Sequence, residues 1–215
     1  MPTQHPIYLY RMTHIENIPH ILSYGIVHKS SWNKNPNYVT IGDQSLIDFR
    51  SSKEVNVISG KKIVLGDYIP FYFGVRMPML YVIQHGGNFV ERARKATEIV
   101  YIAVSLEKLI TNNFCFYFSD GHATDMLTTF SESKDAVRIS EIIDWQAVKS
   151  TYWAGDEIET DLKRRKQAEL LVKEDVPAVF IVGFVCYDIE AKMRLMKYGI
   201  KEKDIKIYPS AYYKP

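Results

Sequence analysis

The run Lys163-Arg164-Arg165-Lys166-Gln167-Ala168-Glu169-Leu170-Leu171-Val172 sets one carboxylate behind four cations, at the lip of an apolar stretch. A glutamate so placed turns toward the protein body while the basic residues face an anion. That arrangement suits stabilisation of a cationic transition state beside a polyanionic substrate. The competing reading is a basic helix start with a surface glutamate.

Three further clusters carry reactive or gripping groups. Arg11-Met12-Thr13-His14 closes the first apolar run. There Arg11 and the Met12 and Thr13 backbone could hold a planar amide or a phosphate, or simply end a strand before a helix. Between Gly66 and Leu80, Tyr72, Arg76 and Met79 bring together a ring, a cation and a thioether. Such a set suits a flipped base, although a central strand running into a turn explains it equally. Asp120-Gly121-His122-Ala123 follows an aromatic run and reads first as a turn. No second His or Asp stands at catalytic spacing, so neither a Ser-His-Asp site nor a metal site is expected.

At 215 residues the chain suits a single domain with a real core. A formal net charge of +2 is too small for a general nucleic-acid coat, so any such contact must be local. Most of the 15 Tyr, 10 Phe and 3 Trp are expected in the core, and the excess of Tyr also suits stacking on nucleotide bases. Cys115 and Cys186 sit in apolar aromatic runs and read as buried thiols. No signal peptide is read in Met1-Pro-Thr-Gln-His-Pro, and the apolar run Ala178–Tyr187 is too short to span a bilayer. A cytoplasmic protein without membrane contact is the expectation.

The elements that must position these groups are mostly short strands. Ile7–Met12, Tyr68–Phe73, Glu98–Val104, Phe114–Ser119, Ala178–Tyr187 and Ile205–Tyr208 are rich in β-branched and aromatic residues and bounded by Gly, Pro, Asp or Ser. Helices are expected from an Asn17 cap to Gly25, and over Ser140–Lys149, Asp161–Glu174 and Asp188–Tyr198. Strands dominate without strict alternation, which argues for an α+β fold. Neither a dinucleotide-binding glycine fingerprint nor a P-loop is present. Ser30–Leu65, Asp120–Ser133 and Ser150–Thr160 read as irregular, binding-loop segments.

Together these segments resemble the DarT family of DNA ADP-ribosyltransferase toxins, in its thymidine-modifying branch. The resemblance rests on Tyr10-Arg11-Met12-Thr13-His14-Ile15-Glu16-Asn17-Ile18, on Gly66-Asp67-Tyr68-Ile69-Pro70-Phe71-Tyr72-Phe73 with Pro78-Met79-Leu80, on Ser119-Asp120-Gly121-His122-Ala123, and on Gln167-Ala168-Glu169. They occur in the family's order from about Ile7 to Tyr187, and Tyr212-Tyr213 is similar to its aromatic ending. The chain departs from the pattern at Met77, at Gln84-His85-Gly86 and over Val55–Lys62.

The resemblance implies one ADP-ribosyltransferase domain over residues 1–215, with a central, mostly antiparallel β core flanked by short helices. It implies NAD⁺ as co-substrate and no metal. Asn33–Ser52 would fold over NAD⁺, and residues 116–169 would contact the acceptor and end at the catalytic Glu169. Arg50 would be the second essential residue, with Arg11, Met12, Thr13, His20 and His28 on NAD⁺. Tyr72, Arg76, Met79 and His122 would face DNA, and Lys163, Arg164, Arg165 and Lys166 would meet its phosphates. The implied function is transfer of ADP-ribose to thymidine in single-stranded DNA, as the toxin partnered by a macrodomain antitoxin. Glu169 would stabilise the positive charge left on the ribose when nicotinamide departs. Arg50, a guanidinium that stays protonated, would assist electrostatically rather than accept a proton. The alternatives are the same fold with guanine, RNA or protein as acceptor, and a non-catalytic single-strand binder.

Overall fold

A computed structural model describes residues 6–87, 90 and 92–213. Residues 1–5, on which the reading of an absent signal peptide chiefly rests, lie outside that description. Along the chain come β1 (Tyr8–His14), α1 (Ile18–Tyr24), α2 (Gln44–Ser52), β2 (Glu54–Asn56), β3 (Lys62–Val64), β4 (Ile69–Tyr72) and α3 (Pro78–His85). Then follow β5 (Ile99–Ser105), α4 (Leu106–Thr111), β6 (Phe116–Ser119), β7 (Phe130–Glu132), α5 (Ile139–Ile142) and α6 (Trp145–Lys149). The last elements are α7 (Leu162–Lys166), β8 (Glu169–Val172), β9 (Ile181–Cys186), α8 (Ile189–Lys197) and β10 (Ile205–Ile207).

Eight strands form one sheet in the order β10-β9-β5-β1-β4-β8-β6-β7. Its pairs are antiparallel except β10 on β9, and β2 and β3 make a separate hairpin. The α+β, mostly antiparallel expectation therefore holds. Successive strand residues face opposite sides, and β5 shows both sides buried. Val100, Ile102 and Val104 join a core with Leu9, Phe71, Phe118 and Leu170, while Ile99 and Tyr101 join a second with Leu80, Ile83 and Tyr212.

The sheet is nearly divided in the middle. β1 pairs along its whole length with β5, but meets β4 only at Tyr10↔Tyr72. Backbone and side chains lining such a split can face a ligand without loss of ladder hydrogen bonds elsewhere. The adjoining register Tyr72↔Glu169 carries the row on to β8, which puts the first residue of β8 at the split.

Several elements differ from the sequence-based expectation. The helix expected over Asp161–Glu174 stops at Lys166, and Glu169–Val172 is a strand instead. Helix-forming side chains are overridden because β4 and β6 pair with this segment from both sides and bury every residue in it. The helix expected over Ser140–Lys149 is two, broken where the Asp144 carboxylate accepts the Ala147 N–H and starts α6 anew. Asn17 precedes α1 without capping it. Its amide instead donates to Thr13 Oγ1 (3.0 Å) and Val39 O (2.9 Å) and accepts from Val39 N (2.9 Å), tying down the segment before α2. Pro19 does fall in the first turn, and Gly25 ends the helix at φ 85°.

The stretch Ser30–Leu65, expected to be irregular, contains α2, capped by the Asp43 carboxylate on Leu46 N–H, and the β2–β3 hairpin. The turn expected after β4 leads into α3, started by Pro78 and ended by Gly86. α2 is held by a close backbone approach: a Cβ added at Gly66 would lie 2.5 Å from Ser51 Cα and O. Gly66→Ala is therefore expected to push the end of α2 away, at a cost of about 1–3 kcal/mol. Its thermal midpoint should fall, and transferase activity should fall further than the loss of folded protein accounts for, because Arg50 moves with the helix. A Gly66→Ala variant as stable and active as the parent would show that α2 can shift freely.

Candidate active site

Glu169 is wholly buried, yet it borders a cleft of about 350 Å³ also lined by Arg11, Met12, His28, Arg50, Tyr72 and Met79. Two oxygens of one carboxylate meet two nitrogens of one guanidinium: Arg50 Nη1 to Oε1 at 3.1 Å and Arg50 Nη2 to Oε2 at 2.9 Å. This planar fork fixes the carboxylate in two dimensions. The Ala123 N–H donates a third bond to Oε1 at 3.1 Å, and the Glu169 N–H donates to Ser119 Oγ at 3.2 Å. A carboxylate taken out of water survives only when paired and hydrogen-bonded, and here both conditions are met.

The electrostatics follow from that pair. Burial alone would lower the Arg50 guanidinium, but the Glu169 carboxylate outweighs it and raises it. Burial raises the Tyr72 phenol well above the usual tyrosine value, and the Glu169 charge raises it further against Arg50 and Arg11. Tyr72 thus stays a neutral phenol, in register with Glu169 on the neighbouring strand.

Most of the residues expected on NAD⁺ come together. Arg11 and Met12 line the cleft, with Arg11 Nη1 donating to Pro70 O at 2.9 Å. Thr13 is buried next to them, 3.4 Å from the Tyr38 hydroxyl, and Tyr38 lines the cleft. His28 lines it too, fixed between Ser30 Oγ (2.7 Å) and Gly66 O (2.8 Å). His20 does not join them; its ring lies against Tyr24 along α1, centroids 4.7 Å apart and planes tilted by 33°. The cleft offers guanidinium groups for a pyrophosphate and rings and aliphatic side chains for the flat parts of a dinucleotide. Among the described residues no three His, Cys, Asp or Glu side chains gather to hold a metal ion.

The residues expected to face DNA divide. Tyr72 and Met79 border the cleft, whereas Arg76 borders a neighbouring groove of about 930 Å³ with Tyr10, Lys149, Tyr152, Lys206 and Tyr208. Arg76 adopts a left-handed backbone (φ 58°) that few side chains tolerate. Its N–H donates to the Tyr101 hydroxyl (2.9 Å), its carbonyl accepts from the Tyr213 hydroxyl (3.0 Å), and its guanidinium lies 4.2 Å from the Tyr213 ring centroid and donates to Tyr212 O. The departure at Gln84 has a use here, since its side chain exchanges two bonds with the Tyr213 backbone (2.9 and 3.0 Å).

The basic run needs correction. Only Lys163 is exposed, its ammonium 5.2 Å from the Trp153 ring centroid. Arg164 is bound by Asp120 (3.0 Å) and Asp161 (2.7 Å), and Arg165 by Asp144, Glu159 and Asp161. Lys166 is buried, donating to Val148 O (3.1 Å) and Ser150 O (2.7 Å), and burial pushes its ammonium down to about 8. Four consecutive residues of a helix point in four directions, so they cannot form one anion-facing row.

Sequence reasoning missed Ser119, Ala123, Tyr38 and Tyr213 as parts of this constellation. Backbone donors and single hydroxyls leave no pattern in a lone sequence, although Ser119 and Ala123 flank the His122 segment that did attract attention.

The comparisons with known proteins agree with this geometry. A family model described as "ssDNA thymidine ADP-ribosyltransferase, DarT" matches residues 10–213. An Escherichia coli protein named DNA ADP-ribosyl transferase is 31% identical over 187 residues, 87% of this chain and 83% of that protein. A Thermosipho africanus protein named as a fusion of a DNA ADP-ribosyl transferase with a DNA ADP-ribosyl glycohydrolase is 26% identical over 202 residues, 94% of this chain and 47% of its own. Thermus sp. 2.9 DarT, solved with ADP-ribosylated ssDNA, superposes with a TM-score of 0.82 at 26% identity over 97% of each chain. Its NAD⁺ complex superposes at 0.76 with 25% identity over 97% of this chain and 98% of that one. With Glu169 and Arg50 paired in the cleft and the match running from strand β1 to Tyr213, the chain belongs to the DarT family of NAD⁺-dependent DNA ADP-ribosyltransferases.

Proposed function

We propose that this protein transfers ADP-ribose from NAD⁺ to thymidine in single-stranded DNA, and that it is the toxin of a toxin–antitoxin pair. The observation that carries the chemistry is the buried Glu169 carboxylate, held by Arg50 and the Ala123 N–H at the mouth of the split sheet. When the bond from ribose C1′ to nicotinamide breaks, its electron pair leaves with nicotinamide and positive charge spreads over C1′ and the ring oxygen. A preorganised carboxylate beside the ribose favours that state over the ground state.

Arg11, Met12, Thr13 and His28 are assigned to NAD⁺, and Arg50 to both NAD⁺ and charge stabilisation. His20 is left without a role. Residues 33–52, which contain α2 and bring Arg50, are the element proposed to cover NAD⁺. Tyr72 and Met79 are assigned to the acceptor base, with Arg76 and Lys163 on the flanking strand. Unstacking costs least in single strands, which favours them as acceptor. An antitoxin that removes the mark is in keeping with the Thermosipho africanus fusion, which joins both named activities in one chain. The cytoplasm is the proposed compartment; no described helix is long and apolar enough to cross a membrane.

The test is mass spectrometry of short single-stranded oligonucleotides incubated with the protein and NAD⁺. Oligonucleotides containing thymine should gain one ADP-ribose, and those lacking thymine should stay unmodified. Modification that follows guanine content instead would overturn the choice of base.

A further inference from the structure

Three consecutive residues, Val27, His28 and Lys29, line the cleft together with Arg11 and Met12, yet they belong to no helix or strand. A wall built from loop backbone holds a ligand only as firmly as the wall itself is fastened. Its support comes from the segment that leaves β8. Ile26 and Val176 exchange two backbone bonds, Ile26 N–H to Val176 O at 2.8 Å and Val176 N–H to Ile26 O at 2.9 Å. Gly25 allows that approach, since a Cβ added there would lie 2.3 Å from Val176 O.

The second fastening is a carboxylate. Asp175, half-buried, accepts the His28 N–H on Oδ1 at 2.7 Å and the Ser31 hydroxyl on Oδ2 at 2.5 Å. Ser31 N–H donates to His28 O at 2.9 Å, so one carboxylate closes both ends of the turn. Bonds to a charged acceptor are about twice as strong as neutral ones. The imidazole is then fixed in turn. Gly66 O can only accept, so His28 Nε2–H donates to it (2.8 Å), and Nδ1 accepts from the Ser30 hydroxyl (2.7 Å). Both ring nitrogens are used inside the protein, which leaves His28 to offer the cleft packing surface.

We propose that Asp175 is a positioning residue for NAD⁺, acting through the wall from Val27 to Lys29. Asp175 does not itself line the cleft. The assignment rests on the reading of this cleft as the NAD⁺ site. Strand β8 begins at Glu169, and the chain leaving that strand ends in the carboxylate that holds the wall. One stretch of chain thereby sets the distance between the Glu169 carboxylate and the surface against which the dinucleotide packs.

Loss of Asp175 leaves Glu169 and Arg50 in place, so ground state and transition state lose the same contacts. A change of that kind raises KM and spares kcat. The Ile26–Val176 bridge survives it, and the wall loosens without detaching. Hydrogen bonds to a charged group correspond to about 10–100-fold in an equilibrium constant.

The test measures NAD⁺ binding by calorimetric titration and, separately, steady-state transfer to a thymine-containing single-stranded oligonucleotide at varied NAD⁺. The proteins are the parent, Asp175→Asn, Ser31→Ala, His28→Ala and, as a charge control, Glu174→Gln at the exposed neighbour. Each is first checked for folding by its thermal midpoint. Asp175→Asn keeps the shape but turns an amide NH₂ toward a donor. Its Kd and KM for NAD⁺ should rise about 10–100-fold, with kcat within about threefold of the parent and the KM for the oligonucleotide unchanged. Ser31→Ala removes one of the two bonds and should raise Kd less, by about threefold to tenfold, which keeps the test alive if Asp175→Asn does not fold. Glu174→Gln should match the parent. Asp175→Asn and Ser31→Ala proteins that bind NAD⁺ as tightly as the parent, while His28→Ala binds it more weakly, would overturn the proposal. So would a fall in kcat at unchanged KM, which marks a merely structural role. If His28→Ala binds NAD⁺ like the parent, the wall does not meet the dinucleotide, and the assignment of His28 falls together with that of Asp175.

Discussion

Glu169→Ala is expected to cut ADP-ribose transfer by about 10³-fold or more, well beyond the loss of folded protein that stranding the Arg50 guanidinium brings. Removing one preorganised electrostatic partner of a transition state commonly costs about 10²–10³ in rate, or roughly 3–4 kcal/mol. Glu169 does two things at once, since the same carboxylate stabilises the charge and orients the ribose. Glu169→Gln is the sharper probe. It keeps the shape and one hydrogen-bonding oxygen but removes the negative charge, so it separates electrostatics from positioning. A Glu169→Gln variant within about tenfold of the parent would mean that orientation, and not charge, is the main contribution. Single-turnover assays at saturating NAD⁺ read the chemical step directly.

The second large effect belongs to Arg50, whose loss should damage both activity and folding. Its bidentate bonds of 3.1 and 2.9 Å reach a carboxylate with no solvent exposure, while the guanidinium itself is only 13% exposed. Breaking a buried pair from one side strands the other charge, at a typical cost of about 3–5 kcal/mol for a fully buried pair. Slight exposure of Arg50 brings the expectation for Arg50→Ala to about 3 kcal/mol, with a loss in transfer of about 10²–10³-fold. Arg50→Lys should recover little, because an ammonium cannot meet two oxygens in one plane. The double-mutant cycle decides the physical cause. If stability is lost because a charge is stranded, Arg50→Ala with Glu169→Gln should be more stable than Arg50→Ala alone. A double variant less stable than either single one would contradict this account, and would make Arg50 a packing residue.

Both expectations depend on a contact that joins residues 119 positions apart. Glu169 could be singled out from its setting after four cations and before three aliphatic residues. Arg50 was reached through resemblance, not through any local feature of Leu46-Ile47-Asp48-Phe49-Arg50. Neither residue announces the other. The pairing exists because β8 lies between β4 and β6, and because Gly66 lets α2 approach closely enough to lay Arg50 over the split.

The basic run shows the reverse case, in which local reading promised more than the fold delivers. Lys163 to Lys166 look interchangeable in sequence, yet one is exposed, two are neutralised by carboxylates from other segments and one is buried under carbonyls. Weakening of DNA binding should therefore follow loss of Lys163, whereas changes at Arg164, Arg165 or Lys166 should act first on folding. Asp120 and Asp144 made those choices, and each lies far from the run in sequence.

What the sequence by itself determined is local. The runs rich in Ile, Val, Tyr and Phe commit six segments to strands, because branched and aromatic side chains pack well on a pleated surface. Gly25 and Pro19 bound α1, because one accepts a positive φ and the other needs no N–H in a first turn. The acidic residue at the edge of an apolar run is legible as a candidate carboxylate, and only the fold decides between the protein body and the surface for it. Tertiary structure alone decided that Glu169 begins a strand and not a helix turn, since two neighbouring strands outweigh the helical preference of Lys, Arg, Gln, Ala and Leu. It alone brought Arg50 and the Ala123 N–H to that carboxylate. Propensity acts over a few residues, whereas a buried charge must be satisfied by whatever the whole fold brings within about 3 Å.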